Sequence, residues 1–600
     1  MSHERQTMFK EPEKEASSSS SSRASSSASS SSSKKKPEAA VNSTATADLV
    51  QKKLKKCKKE EATWLDLSES DLAILPAKVG ELVSVTELYL YNNRLAALPK
   101  EIGALVNIKT LGISQNQLTS LPDELELLKN LNVLDLRHNK FTEVPPVIYR
   151  MKQLSKLYLR YNKLTWISHD IGNLTGLNIL SIRNNKITEL PASLGNLAGL
   201  QILDLMNNCL TALPSSIGKL SRLSSLNVEY NKLERLPEEI GNLVKLKHFG
   251  LRYNSLVELP LAIKNCVLLE ELNVEGNKLV VLPTGILSQL VNVNNLQLSR
   301  NNFTTIPADL GALTKLEIFN MDNNSVREIP AGIFSSLKLL GKINLNYNSI
   351  TSIPNDIGDL VSLREINLGS NKLELLPETL GQLVNLESLV LGNNNLSALP
   401  ESASRLVKLR VLDLEGNRLT RLPEIGSLAA LEELHAQSNR LTALPQSLGN
   451  LHALRLFYVG ENQLTELPLS IGQLKSLTSF HVNDNRLSDV PCELANCLKL
   501  QLLNLDDNPL TAIPPNVTSG GPSAVMVYLR KKNRTKVEQA KLINPDAVLH
   551  IDEHELPTVS RPEPITKAEI IANDLGLLED YPQSDEDVNK LYSDIVSDGV

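Results

Sequence analysis

The chain has 600 residues, of which 41% are hydrophobic and only 4% aromatic, and its formal net charge is −6. Such a composition argues against a globular enzyme core, which usually holds more aromatic mass, and the charge balance gives no reason to expect affinity for nucleic acid. Five cysteines, an odd number without paired clusters, favour a reducing compartment. No stretch approaches the 18 consecutive apolar residues of a transmembrane helix, and the N-terminus has no apolar signal core.

The two ends of the chain carry opposite charge. Residues 1–60 hold 13 Lys/Arg against 7 Asp/Glu, whereas residues 533–600 hold 6 against 15. Residues 1–46 are rich in Ser and Lys and cannot bury enough apolar area to offset the entropy of ordering, so we expect a disordered tail. We expect a second, acidic and mostly disordered tail over 533–600, in which 567–578 is a candidate lone helix.

A short helix is predicted over 47–62, directly before the main body of the chain. Leu49, Leu54 and Cys57 recur at roughly helical spacing, and lysines occupy the opposite face. This segment has three interpretations: a polar cap over the first coil of a repeat, a nuclear-localisation signal, or a patch for an anionic membrane.

From Thr63 onward one repeat dominates the sequence, with the form L-x-L-x-x-N-x-L-x-x-L-P-x-x-I-G-x-L-x-x-L. Alignment on the asparagine gives 20 units, in the first of which Ser70 takes the asparagine position. Successive units are mostly 23 residues long, but the units that end at Asn301 and Asn348 have 24 residues and the one that ends at Asn439 has 22. The asparagines are Asn93, Asn116, Asn139, Asn162, Asn185, Asn208, Asn231, Asn254, Asn277, Asn301, Asn324, Asn348, Asn371, Asn394, Asn417, Asn439, Asn462, Asn485 and Asn508. This is the pattern of a leucine-rich repeat.

Each position of the repeat has a physical role. The L-x-L segment is a short strand whose leucines point inward and whose x residues point outward, and the asparagine can bond backbone groups of its own and adjacent coils. We therefore predict an α/β solenoid, a horseshoe of about 20 coils over 63–514 with a parallel sheet on its concave side. Residues 515–532 break the period and are predicted as a C-terminal helical cap, and the coil at Trp166-Ile-Ser168, which lacks the proline, should be looser.

The outward strand positions are the candidate binding residues, because a concave sheet rich in Tyr and Arg has the composition of a binding hot spot. In the early coils they are Tyr89, Tyr91, Asp135, Arg137, His138, Tyr158, Arg160, Tyr161, Arg183, Tyr230, Arg252 and Tyr253, and in the later coils acidic residues such as Glu271, Glu275 and Glu415. As surface positions, Arg160 and Arg252 should tolerate substitution without loss of stability. The alternative is that these unconstrained outward positions are simply polar.

No catalytic constellation accompanies the repeat. The sequence has no Walker loop, no G-x-S-x-G, no H-E-x-x-H and no set of kinase motifs, so we expect no enzyme and no cofactor. Cys492 and Cys497 lack the partner ligands of a zinc site and are expected to pack in the core or on the convex side. His138 and His435 lie at exposed strand positions, where binding is the better expectation.

Five outward-facing segments carry a more specific resemblance: TELYLYNNRL (86–95), VLDLRHNK (133–140), KLYLRYNK (156–163), FGLRYNSL (249–256) and LEELNVEGN (269–277). With the repeat number, the helix containing Cys57 and the ending GGPSAVMVYLRK, they resemble the Suppressor-of-Clear/Suppressor-of-Ras family over roughly residues 47–532. This family comprises leucine-rich-repeat scaffolds of the Ras–Raf–MAP kinase pathway.

The resemblance implies a ternary complex that joins a GTP-loaded Ras-type GTPase to the catalytic subunit of type-one protein phosphatase, so that Raf kinase is dephosphorylated. It implies a cytoplasmic, and also nuclear, protein that the GTPase recruits to the membrane. Two features depart from the family: Thr7 replaces the Val or Ile expected before Phe9 in a phosphatase-docking motif, and the acidic tail lies outside the pattern. A generic intracellular repeat adaptor of another pathway is the alternative.

Overall fold

A computed structural model describes the backbone of residues 42–543 and the side-chain environments of residues 42–539. Nearly all of the predicted N-terminal tail and the whole candidate helix at 567–578 lie outside the described residues. Residues 533–543 belong to a helix, whereas the sequence analysis assigned them to the acidic tail.

One parallel sheet of 20 strands runs through the described residues, each strand three residues long and paired with the next in chain order. The strands are β1 Trp64–Asp66, β2 Glu87–Tyr89, β3 Thr110–Gly112, β4 Val133–Asp135, β5 Lys156–Tyr158, β6 Ile179–Ser181, β7 Ile202–Asp204, β8 Ser225–Asn227, β9 His248–Gly250, β10 Glu271–Asn273, β11 Asn295–Gln297, β12 Ile318–Asn320, β13 Lys342–Asn344, β14 Glu365–Asn367, β15 Ser388–Val390, β16 Val411–Asp413, β17 Glu433–His435, β18 Leu456–Tyr458, β19 Ser479–His481 and β20 Leu502–Asn504. The central leucines stand in register, as in Leu65 with Leu88 and Leu88 with Leu111. The predicted horseshoe is confirmed.

The return side of most coils is a short 3-10 helix that begins after the Leu-Pro step. The 3-10 helices are Ala77–Glu81, Lys100–Ala104, Asp123–Leu127, Ile148–Arg150, His169–Asn173, Ala192–Asn196, Ser215–Lys219, Glu238–Asn242, Leu261–Asn265, Leu287–Gln289, Leu310–Ala312, Asn355–Asp359, Glu378–Gln382, Glu401–Arg405, Gln446–Asn450, Leu469–Gln473 and Cys492–Asn496. The coil without proline keeps this turn, because Ser168 accepts from the Asp170 amide and Tyr149 Oη accepts from the Ser168 amide at 3.2 Å. The turn therefore forms without the proline, because the amide that proline would lack finds a partner, and the looser coil stays a prediction.

The ladder asparagines hold neighbouring coils together. Asn139 is representative: its Nδ2 donates to the carbonyls of Ile113 (3.0 Å), Leu136 (3.1 Å) and Arg137 (3.2 Å), and its Oδ1 accepts from the Leu118 amide (2.9 Å). Each such side chain satisfies backbone groups that the turn would otherwise leave buried without partners. The predicted role of the asparagine is confirmed.

The residue directly before each of the 19 ladder asparagines adopts a left-handed backbone conformation, with φ between 49° and 66°. This conformation is sterically unfavourable for L-residues, and most unfavourable for those with β-branched side chains. Accordingly none of the 19 is Val, Ile or Thr, and Gly276 and Gly416 are the two glycines among them.

The coils of irregular length differ from the others on the return side. The two 24-residue coils each contain a glycine with positive φ, Gly285 at 82° and Gly332 at 86°, at the start of a shortened or missing 3-10 helix. No 3-10 helix lies between β12 and β13 or between β16 and β17. The extra or missing residue is therefore absorbed on the return side, and the strands keep their register.

Helices cover both ends of the described solenoid. Helix α1 spans Thr44–Lys59, starting three residues earlier than predicted, and it buries Thr46, Val50, Leu54 and Cys57. Leu49, assigned to the buried face from the sequence, is 48% exposed. At the other end, α2 (Pro515–Thr518) and α3 (Gly521–Ile543) cover the last coil, so the helical segment extends past the predicted limit of 532. Val525, Met526 and Leu529 of α3 are buried.

Candidate protein-binding face

The early candidate residues share one surface, which we call the early concave stripe. It consists of Tyr89, Tyr91, Asp135, Arg137, His138, Tyr158, Arg160, Tyr161, Arg183, Tyr230, Arg252 and Tyr253, and all of them lie on β2, β4, β5, β6, β8 and β9 or in the turns that follow these strands. Tyr91 and Tyr161 are its exposed aromatic residues, at 38% and 37%, and most of the others are half-buried.

Aromatic rings in the left-handed position stack from one coil to the next. The rings of His138 and Tyr161 are 4.1 Å apart at an interplanar angle of 10°, and those of Tyr230 and Tyr253 are 4.7 Å apart at 18°. The left-handed backbone presents these side chains in one column, so that rings one repeat apart meet face to face.

Arginines of the stripe lie against the same rings. Arg183 Cζ is 5.8 Å from the Tyr161 ring centroid, and Arg252 Cζ is 5.7 Å from that of Tyr230. Such cation–π contacts hold the guanidinium and the ring in one orientation before any partner arrives. The stripe is therefore preorganised: its rings and guanidinium groups are already held in fixed orientations.

Two ion pairs anchor arginines of the stripe, Arg252 and Arg137, to neighbouring acidic residues. Arg252 Nε donates to Glu229 Oε2 at 2.9 Å, and Arg137 Nη2 lies 2.8 Å from Asp135 Oδ2. Burial raises the pKa of the Glu229 carboxyl, and the guanidinium of Arg252 opposes part of that rise. With side chains only 12% and 21% exposed, the Glu229–Arg252 pair is part of the structural packing of the face as well as of its charge.

The structure corrects the sequence analysis at Arg160 and Arg183. Arg160 is 2% exposed and Arg183 is 8% exposed, so neither is a free surface residue. Arg160 lies between Arg137 and Arg183 of the adjacent coils. The backbone hydrogen bonds from His138 N to Arg160 O and from Tyr161 N to Arg183 O place these coils side by side. Strands about 4.8 Å apart bring long side chains of three consecutive coils over one another. Substitution of Arg160, and of Arg252 with its mostly buried ion pair to Glu229, will therefore affect stability, contrary to expectation.

The acidic candidates occupy the later part of the face. Tyr253 Oη donates to Glu275 Oε1 at 2.8 Å, so Glu275 joins the end of the early concave stripe. Glu271 begins β10 and is half-buried, and Glu415, in the turn after β16, accepts from Gln437 Nε2 at 2.7 Å. These residues continue the same surface without adding a reactive group.

The pKa values of three phenols of the face, those of Tyr89, Tyr158 and Tyr253, are raised. Burial together with a hydrogen bond to Glu87 raises the pKa of Tyr89 to about 12, and burial together with the bond to Glu275 raises the pKa of Tyr253 to about 12. Burial also raises the pKa of Tyr158. These three hydroxyls therefore remain hydrogen-bond donors at neutral pH.

Three residues of this face escaped the sequence analysis: Ser181, Asp204 and Glu229, all buried. Ser181 Oγ donates to Asp204 Oδ2 at 2.9 Å, and Arg183 Nε lies 3.8 Å from the same carboxylate oxygen. A signal was present for Glu229, because it and Arg252 carry opposite charge in the same repeat position 23 residues apart.

The described part of the chain holds no metal-ligand cluster, no disulfide and no membrane-spanning helix. Over residues 42–543 no group of three or more His, Cys, Asp or Glu side chains is arranged to hold a metal ion. The five cysteines are free thiols; Cys492 and Cys497 are buried as expected, and burial raises the pKa of Cys497 to about 12. None of the described helices has the length and apolar character needed to cross a membrane.

Comparison with known proteins agrees with this geometry. A family model described as a leucine-rich repeat region matches residues 99–183, 166–248 and 402–513, and a leucine rich repeat model matches 267–326, 314–373 and 374–419. No curated protein matched the chain.

Solved structures resemble the chain over most of its solenoid. A leucine-rich-repeat protein of Leptospira interrogans is 33% identical with a TM-score of 0.55, covering 67% of this chain and 98% of its own. The plant peptide hormone receptor RGFR1, in complex with RGF2, is 32% identical with a TM-score of 0.64, covering 74% and 78%. YopM from Yersinia enterocolitica is 25% identical with a TM-score of 0.59, covering 77% and 91%.

The fold and the preorganised concave face define a protein-binding repeat scaffold. The chain belongs to the leucine-rich-repeat proteins, as the repeat models and the Leptospira structure show.

Proposed function

We propose that this protein is a non-catalytic scaffold that joins a GTP-loaded Ras-type GTPase to the catalytic subunit of type-one protein phosphatase, so that Raf kinase is dephosphorylated and MAP kinase signalling is promoted. Its site of action in this proposal is the cytoplasm, with a nuclear fraction, and the GTPase recruits the complex to the membrane. The observation that carries the proposal is the placement of the five segments quoted for the family resemblance. They coincide with β2, β4, β5, β9 and β10 and the following turns, on the concave face.

The dimensions of the face support two partners. Eight strand intervals separate β2 from β10, about 40 Å at the usual strand spacing. A folded domain of about 180 residues has a similar diameter. The whole sheet has 19 intervals, about 90 Å, so a second domain fits beyond β10 on the same arc.

The charge of the face also differs between its two parts. Arginines and tyrosines dominate the early concave stripe, whereas strands β16–β20 and their following turns carry seven carboxylates, those of Asp413, Glu415, Glu433, Glu461, Asp484, Asp506 and Asp507. A surface with two charge characters suits two different partners, because complementary charge directs each to its own region.

Titration calorimetry with the full chain, the phosphatase and the GTPase tests the proposal. We expect heat of ternary assembly with a GTP analogue and little with GDP, because the terminal phosphate orders the switch regions that contact the scaffold. Two partners on one arc should also strengthen each other's binding. Equal affinity for both nucleotide states would contradict the Ras-effector role and leave the alternative, a generic intracellular adaptor of another pathway.

A further inference from the structure

The outer face of α1 is a second charged surface, separate from the concave face. Lys52, Lys55, Lys56 and Lys59 are exposed there, opposite the buried side of the helix that Val50, Leu54 and Cys57 form. Within the described chain no carboxylate lies within 4.0 Å of these four ammonium groups, whereas Lys58 pairs with Glu81 at 2.7 Å. The four lysines are therefore available to an external anion.

An exposed apolar residue accompanies the lysines. Leu49 is 48% exposed, and Lys52, Lys56 and Lys59 follow it at spacings of three, four and three, so these four residues share one helix face. A leucine in a capping helix usually packs against the first coil, whereas Leu49 faces solvent beside the lysines. The exposed face of α1 thus offers both an apolar side chain and basic charge, the two contributions that bind a helix to an anionic lipid surface.

We propose that α1 docks on membranes that contain anionic phospholipids, with the four lysines at the headgroups and Leu49 inserted at the acyl boundary. Each lysine near an anionic membrane surface is attracted by the surface potential and does not need a headgroup at a fixed position. The basic residues of α1 are all lysines, with no arginine fork for phosphate and no aromatic ring for base stacking, so a membrane fits better than a nucleic acid.

The position of α1 makes this docking compatible with partner binding. The helix covers the first coil, and its exposed face points away from the core residues of β1. A membrane against this face touches the end of the solenoid and leaves the concave strands from β2 onward open. Asp48, Glu60 and Glu61 lie on or next to the same helix and reduce its charge, so we expect binding to require anionic lipid and to weaken with salt.

Vesicle co-sedimentation of the full chain tests the proposal, using phosphatidylcholine alone or with about one third phosphatidylserine. The wild type should bind the anionic vesicles and not the neutral ones. At about fivefold per lysine, replacing all four with glutamine should reduce the partition coefficient by about 600-fold. Leu49→Ser should reduce it further by a smaller factor.

The matched control replaces Lys163, Lys186, Lys232 and Lys278 with glutamine, which removes the same charge from exposed positions after the ladder asparagines. This variant should sediment like the wild type, and circular dichroism should show both variants folded. Unchanged binding after replacement of the α1 lysines, equal loss in the control, or equal binding to neutral vesicles would each overturn the proposal. Tighter binding to polyuridine RNA than to anionic vesicles, lost with the α1 lysines, would overturn it in favour of a nucleic-acid site.

Discussion

The carboxylate of Glu229 and the guanidinium of Arg252 meet at 2.9 Å between Oε2 and Nε, one repeat apart on the concave face. Both side chains are mostly buried, and the Tyr230 ring lies under the guanidinium. One contact thus ties two coils together and fixes an arginine of the early concave stripe.

Removal of either partner should destabilise the protein, because it leaves a mostly buried charge without its counter-charge. We expect Arg252→Gln to lower the free energy of unfolding by about 2 kcal/mol. Glu229→Gln should cost less, because the charge it leaves unpaired, that of Arg252, is 21% exposed whereas Glu229 is 12% exposed. Urea denaturation of both single variants and the double variant gives the coupling energy. A coupling near zero would show that the pair contributes nothing to the stability of the face.

The sequence was sufficient to predict the fold, because the leucine spacing is a local signal repeated in 20 coils and the asparagine recurs in 19 of them. It failed at Arg160, whose burial depends on Arg137 and Arg183 on adjacent coils and on the closeness of the strands. The repeat pattern predicts that every outward side chain faces solvent, because it considers each coil without the side chains of its neighbours. Whether a long side chain is covered depends on what stands 23 residues before and after it.

The ladder asparagines should be among the most sensitive positions of the chain. Asn301 donates to the carbonyls of Val274, Leu298 and Ser299 at 2.9–3.2 Å and accepts from the Leu279 amide at 3.0 Å. Asn301→Ala leaves these buried backbone groups without partners and should cost about 3 kcal/mol in thermal or urea unfolding. Its neighbour Asn302 is exposed, so Asn302→Ala should stay within about 0.5 kcal/mol of the wild type. Equal effects in the two variants would contradict this role.

The left-handed residue before each ladder asparagine carries strain that glycine relieves. Ser370 has a φ of 50°, so Ser370→Gly should stabilise the protein by a few tenths to about 1 kcal/mol, while Ser370→Val should destabilise it by more than about 1 kcal/mol. As a control, Ser388→Gly, on strand β15, should be destabilising because glycine loses more entropy on ordering. Thermal unfolding of the three variants measures the order; stabilisation by Ser370→Val would refute it.

His481 should make stability depend on pH. Burial lowers the pKa of this imidazole below its ordinary 6.5, and its ring packs edge-on against Tyr458 at 4.6 Å. The unfolded chain therefore takes up a proton near pH 6.5 that the folded chain refuses, so the contribution of His481 to stability is complete above that pH and declines as pH falls through it. The effect cannot exceed about 1.4 kcal/mol per pH unit for one proton. In urea titrations between about pH 5.5 and 7.5, His481→Gln should show a weaker pH dependence than the wild type; identical slopes would exclude His481 as the source.

The exposed tyrosines of the early concave stripe, rather than its arginines, are the positions where binding separates from folding. Tyr91 and Tyr161 are more than one third exposed, whereas Arg160 is buried. We expect the double variant Tyr91→Ala/Tyr161→Ala to weaken assembly with the proposed GTPase and phosphatase by on the order of 100-fold, as loss of aromatic anchors does. Its free energy of unfolding should fall by only about 1 kcal/mol, chiefly from the lost stack on His138.

The control for these tyrosines is Tyr347→Ala. Tyr347 is 44% exposed and occupies the same left-handed position before a ladder asparagine, but it follows β13, outside the early concave stripe. Calorimetry with the partner that binds the early concave stripe should give this variant the affinity of the wild type, because β13 lies beyond the β2–β10 span proposed for that partner. If the double variant binds as tightly as Tyr347→Ala, partners contact another part of the solenoid. If both variants lose affinity equally, the interface extends along the whole arc, because the same repeat position then contributes to binding well beyond the stripe.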